Sequence, residues 1–132
     1  MRVRIAQPLR AQVQQLARQA APRECCGLLL GVPEENGFRI TDLHPARNLA
    51  AEVNRFEIAS ADHFAAQRSA RAAGLAVIGC YHSHPGGTAQ PSAADLAGAQ
   101  QDGFVWLIAN GEDLKAFVYR DGVFRGCVTG AD

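Results

Sequence analysis

The residues best equipped for chemistry fall between positions 82 and 95, HSHPGGTAQPSAAD. His82 and His84 are separated by one residue, and Asp95 follows eleven positions after His84. Residues 76–84 (AVIGCYHSH) read as a strand. Side chains two apart on a strand share a face, so both imidazoles project together. Pro85, Gly86 and Gly87 end that strand, because proline lacks the ladder donor and glycine permits a sharp reversal. Ser92 then reads as the N-cap of a helix, which places Asp95 in the first turn, facing back toward the histidines. Two imidazoles and one carboxylate make three protein ligands and leave a fourth tetrahedral position for water. That is the composition of a catalytic zinc site rather than a closed structural one. The bland alternatives are a hydrogen-bonded histidine pair and a carboxylate favoured by the helix dipole. Two histidines on one face with a spaced aspartate favour the metal. Ser83 should point to the opposite face and play a structural part. Cys80 shares the histidines' parity but reads as a small buried hydrophobe.

The elements that must position these residues follow from the hydrophobic pattern. Residues 2–5 alternate as a short strand, and a helix over 8–20 should bury Leu9, Val13, Leu16 and Ala20. Pro22 stops that helix, and Glu24 sits where the chain enters a continuously apolar strand over 25–32, as expected of a strand buried on both faces. Residues 33–37 read as a turn, 38–43 as its hairpin partner, 44–55 as a loop, and 56–58 as a brief edge strand. Ser60 is expected to cap a helix over 61–73 with Phe64 and Ala65 on its buried side, ended by Gly74. After the metal loop come a helix over 92–101 and strands over 104–110, 114–120 and 123–128. The last two are joined by an Asp121-Gly122 hairpin turn. The expectation is an α/β (α+β) fold, one mixed sheet with flanking helices, in a single domain over 1–132.

Composition excludes several classes. Thirteen basic and thirteen acidic side chains cancel, so no net field attracts nucleic acid or an anionic membrane. The longest apolar run is far too short to span a bilayer, and the N-terminus lacks the apolar core of a signal peptide. The four cysteines form no C-x-x-C pair. Neighbouring Cys25 and Cys26 would face opposite ways on a strand, so all four read as reduced thiols in a cytoplasmic protein.

The run H-S-H-P, six residues, Ser, two residues, Asp resembles the JAMM signature of the JAB/MPN metallopeptidases. Their upstream glutamate is matched by Glu24 in RECCGLLLG, residues 23–31. The resemblance extends over nearly the whole chain and implies a cytidine-deaminase-like architecture. It implies one Zn2+ on His82, His84 and Asp95. It also selects Glu24, among candidates that include Glu52 and Glu57, as general base and then acid. For Ser92, which spacing alone reads as a cap, it adds a hydroxyl that steadies the oxyanion. The implied activity is hydrolysis of a peptide or isopeptide bond after the C-terminal Gly-Gly of a ubiquitin-like protein. The absence of the long insertions of eukaryotic deubiquitinases is similar to the compact prokaryotic members, which implies a sulfur-carrier protein as partner. Two rivals stand beside this reading. A non-catalytic MPN-type scaffold typically has a broken ligand set, and a zinc deaminase requires H-x-E and P-C-x-x-C, both missing here.

Overall fold

The computed structural model describes residues 1–131. In chain order the elements are β1 (Arg2–Ile5), α1 (Gln7–Ala20), β2 (Cys26–Glu34), β3 (Gly37–Ala46), α2 (Ser60–Ala72) and β4 (Ala76–Ser83). Then come α3 (Ala93–Gly98), β5 (Phe104–Ala109), β6 (Leu114–Arg120) and β7 (Val123–Gly130). The strands form one mixed sheet in the order β1-β3-β2-β4-β5-β6-β7. It closes on itself because β1 pairs in parallel with both β3 and β7. Closure removes the open edges that invite pairing with other chains. No helix among the described residues is long and apolar enough to cross a membrane.

A core lies on each face of the sheet. Val13 and Ala17 of α1 pack with Val3, Ile5, Leu29, Tyr81 and Leu107 on one side. Ala66 and Ala70 of α2 pack with Leu28, Leu30, Cys80, Trp106 and Ile108 on the other. The alternation of Leu28, Leu29 and Leu30 between the two cores is why β2 reads as an unbroken apolar run. In β4 the alternation has one slip. Leu29 pairs with Gly79 but Leu30 pairs with Val77, so Ile78 is an extra, bulged residue. Ile78 and Tyr81 consequently both face α1, while Val77 and Cys80 both face α2. A bulge of this kind exchanges the faces of every side chain beyond it, and here it turns His82 toward the α2 side.

Several boundaries differ from expectation for identifiable reasons. β2 runs through Pro33 to Glu34, and the turn shrinks to Glu35 and Asn36. Pro33 is tolerated because β4 has stopped pairing at Gly31, so that stretch has a partner on one side only. β3 extends through His44 and Pro45, which pair with Leu28 and Gly27. The expected edge strand over 56–58 reduces to one bridge between Asn48 and Ile58. α2 begins at Ser60 itself with Ala59 at the N-cap and no side-chain cap. Phe64 is 60% exposed, because the small Ala66 and Ala70 are the residues that sit against the sheet. α3 is shorter than 92–101, ending at Gly98. The turn after β6 matches expectation, with Asp121 and Gly122 both at positive φ, 54° and 79°.

Candidate metal centre

β4 delivers His82 at its penultimate residue, fully buried. His84 lies one step past the strand, and its backbone N–H donates to the Ala109 carbonyl, so the chain keeps its extended course alongside β5. Ser83 between them points to the other face, where its hydroxyl accepts the Cys25 backbone N–H at 2.8 Å. That contact ties the entry of β2 to the end of β4. Asp95 arrives from α3 through a capping box: its N–H donates to Ser92 Oγ at 3.0 Å, and its Oδ2 accepts the Ser92 N–H at 2.9 Å.

These elements bring three donor atoms into a near-equilateral triangle. His82 Nε2 and His84 Nε2 lie 3.0 Å apart, and each is 3.1 Å from Asp95 Oδ2. In a tetrahedral zinc site with bonds of about 2.0–2.1 Å, neighbouring donor atoms lie about 3.3–3.4 Å apart. The triangle needs to open by only a few tenths of an ångström to fit one ion. The tautomer fits as well. His84 Nδ1 faces the Thr88 carbonyl at 2.9 Å, so that nitrogen carries the proton and Nε2 keeps its lone pair. His82 Nδ1 is buried without a hydrogen-bond partner.

Glu24 completes the cluster. It is 5% exposed, and its Oε1 is buried with no partner. Ligand atoms of Glu24, His82 and His84 all lie within 4.8 Å of one another, a grouping able to hold a metal ion. The two carboxyls beside the histidines are shifted in opposite directions. Burial pushes Glu24 from the ordinary 4.5 up to about 7, with the His84 charge opposing and Asp95 reinforcing. Asp95 is also penalised by burial, but its hydrogen bonds to His82 and His84 prevail and hold it well below the usual carboxylate range. Burial lowers His82, with Asp95 opposing. For His84, burial is outweighed by Asp95 and the Thr88 carbonyl, and its pKa is raised. Two carboxyls whose environments drive their pKa values apart are suited to different tasks.

A cleft of about 670 Å3 opens beside the cluster, lined by Arg55, Phe56, Ile58, Asp95, Gly98 and Trp106 among others. Cys80 also lines it, but as a fully buried thiol whose pKa burial raises, in keeping with a small hydrophobe. Two neighbours of the site carry no sequence signal that pattern reasoning detects. Phe56 stacks on His82 with centroids 4.3 Å apart and planes 19° from parallel. Asn48 donates to the Glu24 carbonyl at 3.0 Å. Both belong to a segment read as irregular loop and edge strand, where no periodicity marks a residue as special.

Comparison with known proteins bears on the whole chain. Residues 6–120 match the family model described as prokaryotic homologs of the JAB domain. The chain belongs to this prokaryotic JAB family. It is 32% identical over 114 residues to a desampylase of Haloferax volcanii, covering 83% of this chain and 81% of the relative. It is 32% identical over 96 residues to a desampylase of Pyrococcus furiosus, covering 72% and 66%. A solved protein from Desulfitobacterium hafniense superposes with TM-score 0.89 at 25% identity, covering all of this chain and 93% of that one. A solved protein from Salinibacter ruber does so with TM-score 0.73 at 34% identity, covering 98% and 92%. The JAB assignment accords with the mixed sheet and flanking helices, and the desampylase relatives point to a hydrolase of the JAMM type.

Proposed function

We propose that this JAB protein is a zinc-dependent JAMM-type metallopeptidase, acting as a single domain over residues 1–132. Its substrate is a ubiquitin-like or sulfur-carrier protein, cleaved at the peptide or isopeptide bond after the C-terminal Gly-Gly. The observation that carries the reading is the donor triangle of His82, His84 and Asp95 with the buried Glu24 carboxyl beside it, its Oε1 without a partner. The desampylase relatives and the JAB family support the substrate class.

His82, His84 and Asp95 would hold the ion. Of the two carboxylates, Asp95 suits the ligand role, because it stays ionised and its Oδ2 is equidistant from both imidazoles. Zinc there would polarise the scissile carbonyl and lower the pKa of water from about 15.7 to about 7. Glu24, whose carboxyl burial pushes up to about 7 in the metal-free protein, would accept a proton from the attacking water and return it to the departing amine. The Ser92 hydroxyl accepts the Asp95 N–H and keeps its own proton to donate to the developing oxyanion. Such a donor is commonly worth about 2.7–4 kcal/mol in the transition state.

The test is a cleavage assay read by intact mass. A ubiquitin-like sulfur carrier ending in Gly-Gly and extended by a short C-terminal tail is incubated with the protein, with added chelator, and with Glu24→Ala. Cleavage directly after Gly-Gly, lost in both controls, is expected. Cleavage that survives chelation, or that survives loss of Glu24, would overturn the mechanism. A zinc-loaded protein inert toward a panel of such carriers would overturn the substrate class.

A further inference from the structure

The segment 48–58 is the longest stretch outside regular structure among the described residues, and one side chain organises it. All four hydrogen-bonding valences of the Asn48 carboxamide are used. Nδ2 donates to the Glu24 carbonyl at 3.0 Å and to the Arg55 carbonyl at 2.9 Å. Oδ1 accepts from the Ala50 N–H at 2.9 Å and the Glu57 N–H at 3.0 Å. The Leu49 N–H donates to the Glu57 carbonyl at 2.8 Å, closing the base of the excursion beside the Asn48–Ile58 bridge. Between these anchors the chain runs mostly exposed, with Leu49 at 53% and Val53 at 48%. The one ring it returns to the interior is Phe56, half-buried, which lies flat on His82 and edge-on to Trp106 at 5.7 Å.

We propose that Asn48 is a positioning residue for the reaction: its carboxamide locks the backbone of the base Glu24 to the loop whose Phe56 braces the ligand His82. The inference rests on the metallopeptidase reading for its catalytic consequence. Glu24 Oε1 and His82 Nδ1 have no hydrogen-bond partner of their own, so neither group is aimed by a polar contact at those atoms. Backbone anchoring steadies Glu24, and ring stacking adds to the Asp95 contact at Nε2 in orienting His82. Asn48 reaches both, directly through the Glu24 carbonyl and indirectly through Arg55 and Glu57, which flank Phe56. No other residue type offers two donors and two acceptors on so short a stem. Aspartate keeps the two acceptor bonds, to the Ala50 and Glu57 N–H groups, and loses the donations to Glu24 and Arg55, so it releases Glu24 while one of the two ties flanking Phe56 remains.

The experiment compares wild type, Asn48→Ala, Asn48→Asp and Phe56→Leu as zinc-loaded full-length proteins. Cleavage of a Gly-Gly carrier fusion gives kcat and KM, and emission from Trp106, the sole tryptophan, reports the seating of Phe56. A displacement near 1 Å at a reacting group costs on the order of 100-fold. Asn48→Asp is therefore expected to lower kcat by roughly 30- to 100-fold with KM within about threefold, while Trp106 emission, with the Glu57 tie kept, shifts less than in Asn48→Ala. Asn48→Ala is expected to lower kcat at least as far and also to shift Trp106 emission in the direction of Phe56→Leu. A raised KM with unchanged kcat would make the loop a substrate strap and overturn the proposal. So would full activity in Asn48→Asp. If the wild type cleaves no carrier, the function reading fails, yet emission still decides the geometry. An unshifted Trp106 spectrum in folded Asn48→Ala would overturn the lock itself. If Asn48→Ala does not fold, Asn48→Asp carries the kinetic test alone.

Discussion

Replacing Glu24 by glutamine should abolish cleavage and, in the metal-free protein, make the fold more stable. The carboxyl is almost fully buried with one oxygen unpartnered, and burial raises its pKa from 4.5 to about 7. Between those values the unfolded chain has released the proton while the native state retains it. The native state therefore binds more protons there, and its stability falls as pH rises from about 4.5 to about 7, then levels off. Below about 4.5 the group is neutral in both states and contributes nothing. The span corresponds to a ceiling of about 3 kcal/mol at about 1.36 kcal/mol per pH unit. Water entering from the site mouth reduces this to about 1–2 kcal/mol. Glutamine keeps the shape and discards the charge, so Glu24→Gln should melt roughly 3–10 °C above wild type at pH 8. At pH 4.5 the two should coincide. Calorimetry of both proteins with chelator present, from pH 4.5 to 8, measures the divergence, and zinc should narrow it by giving the carboxylate a nearby cation. A gap that is constant with pH, or that widens toward acid, would refute the burial argument. Lost stability at pH 8 would show that the carboxylate is well partnered in solution.

Other outcomes follow from the same geometry. Ser92→Ala removes the cap on the Asp95 N–H, so stability should fall by about 1 kcal/mol. If the hydroxyl also serves the oxyanion, kcat should fall by about 100- to 1,000-fold; Ser92→Asp should restore the cap in a melting experiment but not the rate. Asp95→Asn keeps an acceptor for the Ser92 N–H while removing the only ionised carboxylate of the donor triangle. Zinc affinity by competition with a chromophoric chelator should drop at least about 100-fold, beyond the usual 10- to 100-fold for outlying partners. Gly27 has no room for a Cβ, which would run into the Tyr81 ring lying across it. Gly27→Ala should cost about 1–3 kcal/mol through overpacking, measured by denaturant midpoint. Tyr81→Phe deletes a buried hydroxyl that has no partner, so it should leave stability unchanged or raise it by up to about 1 kcal/mol.

The spacing of His82, His84 and Asp95 was legible because it is local. A histidine pair two residues apart on a strand and a serine three residues before an aspartate express the periods of a strand and a helix turn. Ser92 indeed caps the N-terminus of α3, and Asp95 indeed turns back to both imidazoles. Local turn chemistry likewise located the Asp121-Gly122 hairpin. The orientation of α2 was less legible. Phe64 outranks Ala66 and Ala70 in hydrophobicity, but close packing on the sheet selects the small pair, and the ring goes to solvent. Glu24 was reached only through the family resemblance, since nothing in its neighbourhood separates a buried carboxyl from a solvated one.

By itself the sequence determined the run of strands and helices, the parity of His82 and His84, and the cap that aims Asp95. Each is set by dihedral periods and side-chain hydrogen bonds spanning a few residues. Tertiary structure alone decided the rest. Closure of the sheet depends on β1 pairing with β7, more than a hundred residues away. The bulge at Ile78, arising where β4 meets β2, decided which face of the sheet the histidines occupy. The raised pKa of Glu24 and the stacking of Phe56 on His82 exist only because distant segments exclude water and press together. Burial and long-range pairing are properties of neighbours in space, and the chain order carries no local record of them.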